Sequence, residues 1–162
     1  MFGHREIDTV IGTKDKDYRV ILTLAERKTR YYIVCRIASK TAPAVLTELN
    51  HLKAYFGEQF NQIFKSIISD NGLGFAELFK LEEISPIKIY FTHPYTSCER
   101  GTNERHNGLL RRFISKGVAI NEYSTDKIAF VEDWCNTLPR MLLNYRTPEE
   151  VFESELDTIY TV

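Results

Sequence analysis

Three acids in this chain sit at positions that call for a reason. Asp8 lies within EIDTVIG, a β-prone stretch where Asp is disfavoured. A charge inside a strand needs a partner, solvent or a metal ion. Asp70 ends the apolar run IIS, and Asn71-Gly72 turns the chain directly after it. Strand ends are where α/β proteins carry ligand-binding groups. Glu104 lies in GTNERHNG, and at helical spacing it shares a side with Asn107 and Arg111. Each acid has an ordinary reading of its own: the wet face of a hairpin, turn chemistry, and a surface Glu paired with Arg100 or Arg111. Two acids on neighbouring strands and a third on a following helix can, however, converge. Three carboxylates at one point repel by several kcal/mol in a low dielectric unless cations lie between them. Hard divalent ions, Mg²⁺ or Mn²⁺, prefer such oxygen ligands. Two of them about 3.5–4 Å apart clamp the attacking and leaving oxygens of a phosphodiester.

The stretch HPYTSCERGTNERHNGLL (93–110) carries this chemistry among basic groups. From Pro86 to Gly117, Lys88, Arg100, Arg105, Arg111, Arg112 and Lys116 face Glu99 and Glu104, a local excess of four positive charges. Such an excess attracts phosphate, although a solvated helix face would look the same. Glu99 is the competing acid, read as an arginine partner or helix cap. His106 falls nearly opposite Glu104 on the helix and reads as structural or solvent-facing. Gly108 in mid-helix suggests close approach of a backbone or ligand. Tyr90, Phe91 and Tyr95 could stack on bases, but strand and core packing accounts for them more simply.

These residues need elements to hold them. REIDTVIG, YRVILTLAER and RYYIVCRIA read as three strands, joined by GTKDKD and ERKT into an antiparallel meander. The period then becomes helical over Ala42–Phe60. FKSIIS and IKIYFT (87–92) read as two more strands, separated by a short helix in GFAELFKLEEI. A helix follows from about Ser97 or Glu99 to about Ser115. Another starts near Ser124 or Thr125 and ends at Pro139. Thr147-Pro148-Glu149-Glu150 starts a last one. The whole is an α/β layer on a mixed five-stranded sheet.

The chain has 162 residues, 43% apolar and 12% aromatic, enough for one domain with a sizeable core. No apolar run approaches the ~20 residues of a membrane helix. The start, MFGHREID, is not a signal peptide. Cys35, Cys98 and Cys135 are widely spaced, so the expectation is a reduced, cytoplasmic protein. No phosphate-loop, dinucleotide or serine-hydrolase motif is present, and no organic cofactor is expected. The net charge of −1 argues against a whole-surface nucleic-acid binder.

GHREIDTVIG (3–12), LTLAERKTRY (22–31), SDNGLGF (69–75), THPYTSCERGTNERHNGLLRRF (92–113) and NYRTPEEVF (144–152) resemble the catalytic core of bacterial insertion-sequence transposases. The nearest likeness is to the insertion-sequence-30 family, in the integrase core group. The resemblance implies a ribonuclease H-like fold with strand order 3-2-1-4-5. It implies DNA strand cleavage and strand transfer by two Asp and one Glu holding two Mg²⁺ or Mn²⁺ ions. Carried over, those residues are Asp8, Asp70 and Glu104. The 33 residues between Asp70 and Glu104 match the family's spacing. Asn107, three residues after the Glu, would place substrate. Arg100, Arg105, Arg111 and Lys116 would position DNA without reading its sequence. The implied partners are transposon ends, target DNA and further copies of the chain. Two departures stand out: Arg5 replaces a Trp common in the family, which should disturb local packing, and CNTLPR (135–140) replaces a more basic segment. The family's N-terminal helix-turn-helix region is not part of this sequence, so 1–162 is expected to be the catalytic core alone. A truncated, non-catalytic fragment that binds DNA or inhibits assembly is the rival reading. A nuclease acting on RNA–DNA hybrids is a third.

Overall fold

A computed structural model describes residues 1–13, 19–93 and 101–161, apart from the Leu73 side chain. Five strands form one sheet: β1 (His4–Val10), β2 (Val20–Glu26), β3 (Tyr32–Ile37), β4 (Ser66–Ser69) and β5 (Lys88–Phe91). Their order is β3-β2-β1-β4-β5, as expected. β1, β2 and β3 pair antiparallel, and β4 and β5 join parallel to β1 and to each other. The helices are α1 (Ala42–Phe56), α2 (Phe60–Ile63), α3 (Lys80–Ile84), α4 (Gly101–Leu110), α5 (Thr125–Thr137) and α6 (Pro148–Tyr160). The β1–β2 turn, Glu99, Arg100, Cys98 and Tyr95 lie outside the described residues.

β2 is buried along its whole length, so its side chains feed two cores. Leu22 and Leu24 join Ile7, Ile33 and Ile67 against α1 and Phe152 of α6. Ile21 and Ala25 join Val10, Tyr32 and Val34 against Leu110, Ile114 and α5. Period-two alternation therefore sends Arg5 and Ile7 of β1 to the first face, and Glu6, Asp8 and Val10 to the second.

Arg5 is fully buried. Its guanidinium lies 4.2 Å from the Phe64 ring centroid and 5.6 Å from that of Phe152. A cation fills an aromatic slot, and none of its three nitrogens has a hydrogen-bond partner.

The exposed edge at β3 is closed by side chains of α5. Asn136 accepts from Tyr32 N–H and donates to Tyr32 C=O, each at 2.8 Å, as a neighbouring strand would. One turn earlier, Glu132 accepts from Val34 N–H at 2.7 Å. Covering an edge in this way removes a template for unwanted pairing.

α5 ends before Pro139, with Leu138 extended as a residue preceding proline must be. Thr147 and Glu150 form the expected capping box of α6. The outer strand differs from expectation: Tyr90 and Phe91 are 56% and 39% exposed rather than packed, because β5 is the sheet edge. α4 also stops at Leu110, short of Ser115. Arg112 and Phe113 N–H turn to carbonyls three residues back, and Gly117 N–H bonds to Gly12 C=O. A Cβ on Gly12 would lie 1.9 Å from the Val118 carbonyl oxygen, so only glycine lets these segments meet.

Candidate catalytic site

β1 holds α4 through two acids on one face. Glu6, fully buried, accepts Asn103 N–H at 2.8 Å. Asn103 is in the first turn of α4, where backbone N–H groups lack helical partners and a negative charge is favoured. Arg27 Nε meets the other Glu6 oxygen at 3.2 Å. Two residues along, Asp8 Oδ2 accepts from Asn107 Nδ2 at 2.8 Å, and Oδ1 accepts from Thr9 N–H at 2.8 Å. Tyr32 O–H donates to Asn107 Oδ1 at 2.7 Å. The chain Tyr32–Asn107–Asp8 fixes which end of the amide faces the carboxylate. Burial raises the Tyr32 phenol far above its usual range, so it stays a donor.

Asp70 follows β4 directly. In the β1–β4 ladder Glu6 pairs with Ile68, and the same register continued two residues aligns Asp8 with Asp70. Neighbouring strands lie about 4.8 Å apart, with paired side chains on one face. Asp70 Oδ1 accepts from Gly72 N–H at 2.8 Å, and Asn71 Nδ2 donates to Thr92 C=O at 3.2 Å, tying this loop to the end of β5.

Glu104 stands one turn before Asn107 and is exposed. Among the described residues, no three His, Cys, Asp or Glu side chains gather closely enough to hold a metal ion. Asp8 and Asn107 are thus joined directly, the β1–β4 register, carried on, points Asp70 to the same sheet end, and Glu104 is on the same helical side as Asn107. The donor chemistry at Asp8 and Asp70 suits a hard divalent ion: carboxylate oxygens on adjacent strand ends, with no thiolate or imidazole among them.

The basic residues divide. Arg105 and Lys116 are exposed. Arg111 donates to Ile11 C=O at 2.8 Å and so is committed to the backbone. Arg100 lies outside the described residues. Gly108 is exposed and a Cβ there would meet nothing within 4 Å, so no backbone approach requires it. His106 is structural, its two ring nitrogens 2.8 and 2.7 Å from the carbonyl oxygens of Thr102 and Arg30. Glu6 and Tyr32 went unnoticed in the sequence; an acid two residues before Asp8, hence on the same strand face, was the available signal for Glu6.

A mixed sheet in this order, with the acids at parallel strand ends and a helix laid on β1, defines the integrase-core class of ribonuclease H-like folds. The catalytic core domain of BIV integrase superposes with a TM-score of 0.69 over 99% of both chains, at 18% identity. A chain of a simian T-cell lymphotropic virus intasome in complex with the PP2A regulatory subunit B56 gamma gives 0.68 over 92% of this chain and 53% of that one, also at 18%. In sequence the chain is homologous to insertion-sequence transposases, including the insertion-sequence-30 group. It is 39% identical over 153 residues to a probable transposase for element IS1161 of Streptococcus salivarius, covering 94% of this chain and 42% of that protein. It is 33% identical over 151 residues to transposase InsI for element IS30A of Escherichia coli (strain K12), covering 93% and 38%. The chain thus spans less than half the length of these relatives. No protein-family model matches it. No helix among the described residues is long and apolar enough to cross a membrane.

Proposed function

We propose that this chain is a catalytic core for metal-dependent DNA strand cleavage and strand transfer, with Asp8, Asp70 and Glu104 as its acids. The observation that carries the reading is the Asn107–Asp8 hydrogen bond. It joins α4 to the strand whose register runs on to Asp70. Asp8 and Asp70 would hold one or two Mg²⁺ or Mn²⁺ ions, with Glu104 completing the set from α4. Such ions, when bound, supply Lewis acidity that stabilises charge on phosphoryl oxygens. Asn107 keeps the Asp8 carboxylate turned toward the strand end, and Tyr32 keeps Asn107 from rotating. Arg105, next to Glu104 in the chain, and Lys116, both exposed, would attract the DNA backbone without reading bases. Transposon ends, target DNA and a second copy of the chain are the proposed partners.

The exposure of Glu104, with no three-acid cluster among the described residues, favours one rival, a non-catalytic module that binds DNA or blocks assembly. Two measurements separate them. Calorimetric Mn²⁺ titration should show binding to the wild type and loss in Asp70→Asn. A labelled duplex should then be nicked by the wild type and left intact by Asp8→Asn and Glu104→Gln. Mn²⁺ binding without nicking selects the rival, and equal Mn²⁺ binding by Asp70→Asn removes the metal site.

A further inference from the structure

On the far side of α4 from Asp8, three arginines line one cleft. Arg30 comes from the β2–β3 turn, Arg105 from α4, and Arg140 from the segment after α5. The cleft holds about 240 Å³, with Met141 and Leu142 among its walls. No acid lines it among the described residues. Glu6, whose charge acts on Arg30, is already engaged by Arg27 and Asn103 N–H.

The arginines are anchored but not satisfied. Arg30 Nη1 donates to Thr102 Oγ1 at 2.6 Å, and Arg140 Nη2 to Cys135 C=O at 2.9 Å. The Nε atoms of both are buried without a hydrogen-bond partner. Arg105 is exposed and makes no hydrogen bond or ion pair among the described residues. Burial lowers the pKa of Arg30, with Arg105 pushing the same way. Arg140 is lowered by burial, with Cys135 opposing and Arg30 adding to it. The cations therefore crowd one another, and an anion between them would relieve that cost.

The backbone is held for this. Arg30 has φ 63°, a left-handed conformation uncommon away from glycine. Asn144 and Tyr145 share it, at 54° and 64°. The Arg140–Arg146 loop they shape is closed by Tyr145 N–H to Arg140 C=O and Arg140 N–H to Arg146 C=O. Such strain persists where the surrounding structure over-determines it, and it concentrates at ligand sites.

We propose that the Arg30–Arg105–Arg140 cleft is a phosphate-binding pocket, separate from the Asp8–Asp70 acids. Guanidinium forks match phosphate oxygens in geometry and charge. Exposed Met141 and Leu142, 76% and 63% exposed, offer an apolar shelf for a sugar beside the phosphate. The group arrives either as a DNA backbone phosphodiester or as a free phosphate. The pocket needs no divalent ion, so it stands or falls apart from the strand-cleavage reading.

The test uses the full chain without divalent ions. Inorganic phosphate is titrated calorimetrically into the wild type, Arg105→Gln, Arg105→Glu and Asp8→Asn. Saturable binding is expected for the wild type and Asp8→Asn, about fivefold weaker in Arg105→Gln and absent in Arg105→Glu. Thermal unfolding checks that each variant folds. The salt dependence of binding to a 20-base-pair duplex identifies the source. A slope lower by about one in Arg105→Gln assigns a backbone phosphate, and an unchanged slope assigns a free one. Absence of saturable phosphate binding by the wild type, or equal binding by Arg105→Glu, overturns the proposal.

Discussion

Replacing Arg5 with methionine should stabilise the protein. Arg5 is fully buried on Phe64 and Phe152, and its nitrogens have no partner. Burial lowers its pKa from the ordinary arginine range to about 10, against the opposing charge of Glu26. At about 1.4 kcal/mol per unit, that displacement means the charged side chain costs the fold on the order of 3 kcal/mol. The sign is fixed: a cation whose folded pKa lies below its unfolded one is penalised in full below pH 10, and the penalty fades only as pH rises from there toward the ordinary arginine range. Methionine keeps roughly the volume and the apolar contact while losing the cation–π attraction, about 1–2 kcal/mol at a desolvated site. The net expectation is a gain of about 1–2 kcal/mol, the same at pH 6 and pH 8. Glu26 loses the attraction of Arg5 but keeps its hydrogen bonds, since Gly3, Lys28 and Thr29 backbone N–H groups and the Thr29 hydroxyl donate to it. Urea unfolding reads this as a higher midpoint at unchanged m-value. A midpoint that falls by the ~2 kcal/mol or more of an ordinary core truncation would refute the reasoning. It would mean the guanidinium is compensated in solution.

Asn136→Ala should cost about 2–4 kcal/mol by urea unfolding, since it orphans both backbone groups of Tyr32. For Glu132, burial raises the carboxyl pKa, against the Val34 N–H bond that lowers it. Its favourable contribution is complete below the ordinary value of 4.5 and is lost as pH rises through the raised one. Glu132→Gln should therefore match the wild type near pH 4 and unfold at higher urea at pH 7. Tyr32→Phe should change stability by only about 1 kcal/mol, yet slow duplex nicking by freeing the Asn107 amide. Unimpaired nicking would remove Tyr32 from the site. Gly108→Ala should raise the thermal midpoint, worth about 0.5–1 kcal/mol, because the added methyl meets only open space.

What could be read from the chain follows the range of the interactions involved. Strand and helix identities rest on local period and capping, so the five-stranded order and the Thr147 box emerged as expected. The shorter α4 did not, because its end is set by Gly117 bonding back to Gly12, about a hundred residues earlier. Asn136 looked like a lost basic residue, yet it completes a strand edge 104 residues away. Glu6 drew no notice, yet it receives a helix start 97 residues away. Asp8 drew notice because an acid breaks a strand's pattern. Its alignment with Asp70 is a matter of register, which no local pattern encodes. The same limit explains the arginine cleft. Arg30, Arg105 and Arg140 come from three separate segments, and nothing local in the sequence joins Arg105, expected to position DNA, with the other two. Their shared field exists only once α4 is docked, with Glu6 receiving the Asn103 N–H at its first turn. Loss of the Glu6 contact should therefore disturb the cleft, whereas Asp8→Asn, whose amide oxygen can still accept from Asn107, should leave it in place.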